Sequence, residues 1–111
     1  MCNPRQLCVE AAEMSRETGS STCVIASIDR EAPILYTANL GDSGYLLIRK
    51  NADELTTVFR SKEQTHGFNF PFQIGTNGDD PSKAESQVHD VDHNDILIVG
   101  TDGLFDNLYD D

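Results

Sequence analysis

An α+β fold, one leading helix followed by successive antiparallel strands, is what these 111 residues predict. Three observations carry that expectation. A single segment near the N-terminus repeats its apolar residues at helical spacing. From residue 20 onward the chain turns into short β-rich runs separated by Gly, Pro, Asn and Asp. The most apolar run, Ile96 to Val99, is long enough for a buried strand and too short for an ordinary helix.

Each element follows in order. Asn3-Pro4 reads as an N-cap and a first-turn proline, and Leu7, Ala11 and Met14 form the expected core stripe of a helix stopped by Gly19. Residues 21–29 ("STCVIASID") read as a strand, 30–33 as a loop, and 34–40 ("ILYTANL") as the second strand. Gly41 to Gly44 is a tight turn into the returning strand 45–50 ("YLLIRK"), with 55–60 ("LTTVFR") as another strand. Residues 61–87 lack periodicity and read as a long irregular segment; 87–91 is a short strand, and 95–100 is a strand buried on both faces.

The bulk properties set limits. One small domain accounts for this length. Nineteen Asp and Glu against eight Lys and Arg give a formal charge of −11, which disfavours nucleic acid and anionic membrane surfaces and suits a site that collects divalent cations. No apolar segment approaches the ~20 residues that span a bilayer, so no membrane insertion is expected. Cys2, Cys8 and Cys23 are odd in number and lack Cys-x-x-Cys spacing, as in a reduced intracellular protein. The first 19 residues have neither signal-peptide nor transit-peptide character.

Four constellations invite chemistry. Gly-Asp-Ser-Gly at 41–44 resembles a serine-protease nucleophile loop, but every His follows Ser43 and Tyr45 replaces the next Gly. Cys23 begins a Cys-x5-Arg count that meets Asp29, with Arg30 one step late, so a thiolate phosphatase loop is absent. Asp90, Asp92 and Asn94 open like a calcium loop, yet Asp95 stands where the turn needs Gly and Thr101 where it needs Glu; they read as a solvated turn. Asp102 and Asp106 flank Gly103-Leu104-Phe105 directly after the apolar strand, and carboxylates in such turns are good ligands for hard cations.

Together these segments resemble the metal-dependent type 2C (PPM) serine/threonine protein phosphatases. "GSSTC" at 19–23 is similar to the family's Gly-Ser-Thr strand entry, "TANLGDSGY" at 37–45 to its Ala-Asn-x-Gly-Asp-Ser hairpin, and "DILIVGTDGLFDNL" at 95–108 to its Asp-Gly-Leu-aromatic-Asp motif. "QTHGFNFPFQIG" at 64–75 resembles the narrower, mostly mitochondrial branch related to the T-cell activation phosphatase. The resemblance implies part of a four-layer α-β-β-α sandwich of antiparallel sheets. It gives Asp102 as a ligand of the catalytic metal pair, and Asp42 and Asp106 as ligands of an additional, weaker site shared with it. Gly103 would let the backbone approach the metal, and Phe105 replaces a frequent Trp as a packing anchor. Two Mg²⁺ or Mn²⁺ ions would lower the pKa of a water that attacks phosphorus in a phosphoprotein substrate, with no phosphoenzyme. No residue other than the metal ligands is assigned a catalytic role, and substrate contacts and oligomeric state stay open.

The departures shape the expectation. The family's first Asp-Gly element, its later ligand Asp and its usual general-acid His have no counterpart in residues 1–111, His66 does not match that position, and Gly44 replaces a frequent Arg. The chain therefore reads as a partial type 2C domain lacking N-terminal and C-terminal segments, part of an enzyme but inactive alone. The other reading is a non-catalytic phosphatase-like binding or regulatory domain. A mitochondrial address follows from the branch resemblance only.

Overall fold

The structure, a computed structural model, describes residues 3–15, 18–68 and 70–107. Helix α1 spans Pro4–Met14, and the Asn3 side chain caps it by accepting the N–H groups of Arg5 and Gln6. Ser20–Ser21 (β1) pairs with Ile74–Gly75 (β8) in a two-stranded ribbon. Cys23–Asp29 (β2), Ile34–Leu40 (β3) and Glu85–Asp90 (β9) form a first antiparallel sheet in the order β2-β3-β9. Gly44–Asn51 (β4), Glu54–Arg60 (β5) and Ile96–Gly100 (β10) form a second in the order β10-β4-β5. A small ribbon of Thr65–Gly67 (β6) and Phe70–Pro71 (β7), a 3₁₀ turn at Pro81–Lys83 and a one-turn helix α2 at Asp102–Phe105 complete the chain.

Strand alternation decides the layers. On β3, Ala38 and Leu40 point to α1, where they pack with Cys8 and Ala84 in the apolar core. Thr37 and Asn39 point the other way, to the second sheet. There the Thr37 and Tyr45 hydroxyls meet at 2.8 Å, and the Tyr45 hydroxyl meets His89 Nε2 at 2.8 Å. The His89 ring also lies 4.5 Å from that of Phe59 on β5, centroid to centroid. Helix, sheet and sheet are thus three layers of the expected sandwich, with a buried polar network between the sheets.

Three expectations need correction. The helix does not bury Leu7, Ala11 and Met14: Met14 is 79% exposed and Leu7 38%, while Pro4 and Cys8 face the core. Pro4, Cys8 and half-buried Ala12 recur every four residues, a stripe that their modest hydrophobicity hides. Strand β10 is not buried on both faces: it is an edge strand, with Ile96 45% and Val99 49% exposed. Residues 61–87 are not irregular, because β6, β7, β8, the 3₁₀ turn and the start of β9 lie within them. Their pairings are too short to leave a period.

The turn before β10 also differs in part from a solvated one. The Asp95 carboxylate folds inward onto Arg49, accepting from Nη2 at 3.0 Å and from Nε at 3.1 Å, while Asp92 stays exposed. Cys8 and Cys23 are free thiols. Burial pushes the Cys8 thiol up to about 11, and the neighbouring Cys23 adds to this, so Cys8 stays a protonated thiol at neutral pH. Cys2 lies outside the described residues.

Candidate metal centre

The turn between β3 and β4 is built on glycines for steric reasons. Gly41 has φ +109°, and a Cβ there would collide with the Thr22 side chain and the Phe72 carbonyl. A Cβ on Gly44 would collide with Ser61 Oγ, which accepts the Tyr45 N–H at 2.9 Å. The Ser61 hydroxyl thus fills the space that a side chain at position 44 would occupy. Between the glycines, buried Ser43 joins its hydroxyl to that of Thr22 at 2.6 Å, which ties the turn to the entry of β2. Asp42 is left half-buried at the rim.

Helix α2 supplies the other carboxylates. Thr101 caps it, accepting the Gly103 N–H at 3.2 Å. Asp102 opens the helical turn half-buried, and exposed Asp106 closes it with its N–H on the Asp102 carbonyl at 2.8 Å. Gly103 is exposed, and its carbonyl accepts the Asn107 side-chain amide at 2.7 Å. Phe105 anchors the helix against the end of β5, with the Arg60 guanidinium 5.0 Å above its ring. Asp42, Arg60, Glu63 and Phe105 line one narrow cleft.

The carboxylates converge. The Asp42 carboxyl lies above its ordinary value, first because it is desolvated, then because the Asp102 and Asp106 charges face it. The Asp42 turn and helix α2 line the same cleft, so the Asp102 carboxylate is a neighbour of Asp42. Among the described residues no set of three or more His, Cys, Asp or Glu side chains surrounds one point as a closed cage would. The donor chemistry nonetheless fits a hard divalent ion, because Mg²⁺ and Mn²⁺ are commonly held by one or two carboxylates and keep several waters. A cation would also relieve the repulsion that raises Asp42.

His66 is engaged elsewhere: its Nε2 meets Asp79 Oδ1 at 2.8 Å and its ring stacks on Phe72, with centroids 4.3 Å apart. Sequence reasoning missed Ser61, Thr22 and Gln64 as supports of the turn. "GSSTC" contains Thr22 and "QTHGFNFPFQIG" begins at Gln64, yet neither stretch gave them this role, since supports are recognised by what they touch.

Comparison with known proteins adds relatives to this geometry. The family model described as Stage II sporulation protein E (SpoIIE) matches residues 6–111. The protein phosphatase PTC7 homolog fig of Drosophila persimilis is 43% identical over 121 residues, covering 96% of this chain and 36% of that protein. The probable protein phosphatase 2C 55 of Arabidopsis thaliana is 41% identical over 109 residues, covering 96% of this chain and 22% of that protein. Among solved structures, that of the photosystem II phosphatase PBCP superposes with a TM-score of 0.88 at 30% identity, covering 96% of this chain and 41% of that one. The chain thus spans well under half the length of each of these relatives.

Proposed function

Since the chain belongs to the SpoIIE family and has the type 2C phosphatase fold, we propose that its gene product is a divalent-metal-dependent protein serine/threonine phosphatase acting on phosphoproteins. The observation that carries this reading is that the Asp42 turn and helix α2, which bears Asp102 and Asp106, line one cleft, where the two α2 charges add to the desolvation that raises the Asp42 carboxyl. Like charges brought together at a half-buried rim are costly without a counter-ion. Asp102 is read as a ligand of a catalytic pair of Mg²⁺ or Mn²⁺ ions, with Asp42 and Asp106 serving a weaker site beside it. Gly103 would let the backbone of α2 approach the ions.

When bound, the metal pair supplies Lewis acidity that makes water a nucleophile near neutral pH and offsets charge growing on the phosphoryl oxygens. The chain's own residues do the positioning. Thr101 holds the first turn of α2 and so the direction of Asp102. The Ser43–Thr22 hydroxyl pair holds the rim that carries Asp42. Phe105 under Arg60 keeps α2 against β5.

The decisive assay uses the full-length gene product on phosphoserine and phosphothreonine peptides. Turnover should require Mg²⁺ or Mn²⁺ and fall by about 10² or more in Asp102→Asn. Metal-independent turnover, or an unchanged Asp102→Asn, sinks the reading. The rival, a non-catalytic phosphatase-like binding or regulatory domain, draws support from the lack of a closed ligand cage among the described residues. An Asp-Gly-x-Gly-Gly segment upstream in the gene would decide against it. Among the described residues no helix is long and apolar enough to cross a membrane. An intracellular, mitochondrial location is part of the proposal, tested by imaging the tagged gene product.

A further inference from the structure

Gln64 is bound to the Asp42 turn by its backbone and its side chain together. Its N–H donates to the Gly41 carbonyl at 2.9 Å, and its Oε1 accepts the Gly41 N–H at 2.9 Å. Its Nε2 donates to the Lys83 carbonyl at 3.1 Å, and its own carbonyl accepts the Phe72 N–H at 2.9 Å. One residue therefore closes a ring with Gly41 and joins it to the segments of Phe72 and Lys83. The side chain must accept at one end and donate at the other, which an amide does and a carboxylate or thioether does not.

This arrangement has a task. Asp42 and Asp102 repel when no cation lies between them, and a free turn would swing away to separate them. A turn whose N–H and C=O are both held cannot relax in that way, so the charges stay in place for a cation. We propose that Gln64 is a positioning residue for the divalent-cation site, holding the Gly41 peptide so that Asp42 is presented toward Asp102. The proposal rests on the reading of Asp42 as a cation ligand. Gln64 lies 22 positions from Asp42 in the chain and acts on it through the Gly41 peptide.

Calorimetric titration of the full-length gene product with Mn²⁺, alongside phosphopeptide turnover, tests it. Gln64→Met, nearly isosteric, should weaken the weaker Mn²⁺ step about tenfold, as expected for the loss of two side-chain hydrogen bonds. Turnover at saturating Mn²⁺ should stay within about twofold of the parent, because binding rather than chemistry is affected. Gln64→Asn, still polar but too short to reach both partners, should move the same step in the same direction. In the Asp42→Asn background Gln64→Met should add nothing. His66→Ala, which cuts the Asp79 pair in the same loop, should lower the melting temperature and leave the Mn²⁺ steps alone. If Asp42→Asn moves the weaker step and neither Gln64 variant does, the role of Gln64 is refuted. It is refuted equally if the Gln64→Met effect persists in full without Asp42. If Asp42→Asn itself moves no step, the cation reading of Asp42 falls and takes this role with it.

Discussion

Gly41 concentrates the residue-scale constraints. Its φ of +109° is strained for any L side chain, and the Phe72 carbonyl in the path of a Cβ is backbone that cannot rotate aside. Gly41→Ala should therefore destabilise the fold by about 2 kcal/mol or more, measured by urea denaturation. It should also raise the Mn²⁺ concentration needed for half-maximal binding, because Asp42 is the next residue. A variant that keeps wild-type stability would show that the turn relaxes freely, against the rigidity argued for the rim. Gly44 is milder, since the Ser61 hydroxyl in its way can rotate. That steric fact gives a reason for the glycine where the resemblance leads one to look for Arg.

At the scale of elements, the interface between the two sheets is unusual in resting on Thr37, Tyr45 and His89. Burial holds the His89 imidazole below its ordinary value of 6.5. The folded state thus keeps this ring neutral where the unfolded chain would take up a proton. Stability is full above pH 6.5 and falls as the pH drops below it, because the unfolded state then binds more protons. Thermal melts between pH 7.5 and about 5 should show that decline, and His89→Gln should flatten it. A profile left unchanged by His89→Gln would exclude His89 as its source. The helix and β10 show why element packing escaped the sequence. α1 turns Pro4, Cys8 and Ala12 inward, so its most apolar residues were a false guide. β10 has the most apolar run and yet an exposed position, since among the described residues it pairs with β4 alone.

For the whole molecule, exposed apolar side chains on an edge strand conflict with a charge of −11. Unpaired edges recruit other strands. The 111-residue chain by itself should therefore self-associate as concentration rises, more so as salt screens its charge, and Ile96→Lys should suppress this in sedimentation velocity. It should bind Mn²⁺ weakly and hydrolyse no phosphate ester; a monodisperse, metal-activated phosphatase of this length would overturn that expectation.

The sequence by itself determined the leading helix, the longer strands and the glycine turn at 41–44, because these rest on local spacing and backbone sterics; the ordered motifs pointed to the family by resemblance. It also pointed to Asp42, Asp102 and Asp106, through motif resemblance rather than through any local rule. Tertiary structure alone decided that the Asp42 turn and helix α2 share one cleft, that Gln64 rather than a neighbour fixes the Gly41 peptide, and that β10 lies at an edge. Period and propensity act within a few residues, whereas hydrogen bonds and charge repulsion act through space. Which distant groups share that space is set only when the two sheets pack.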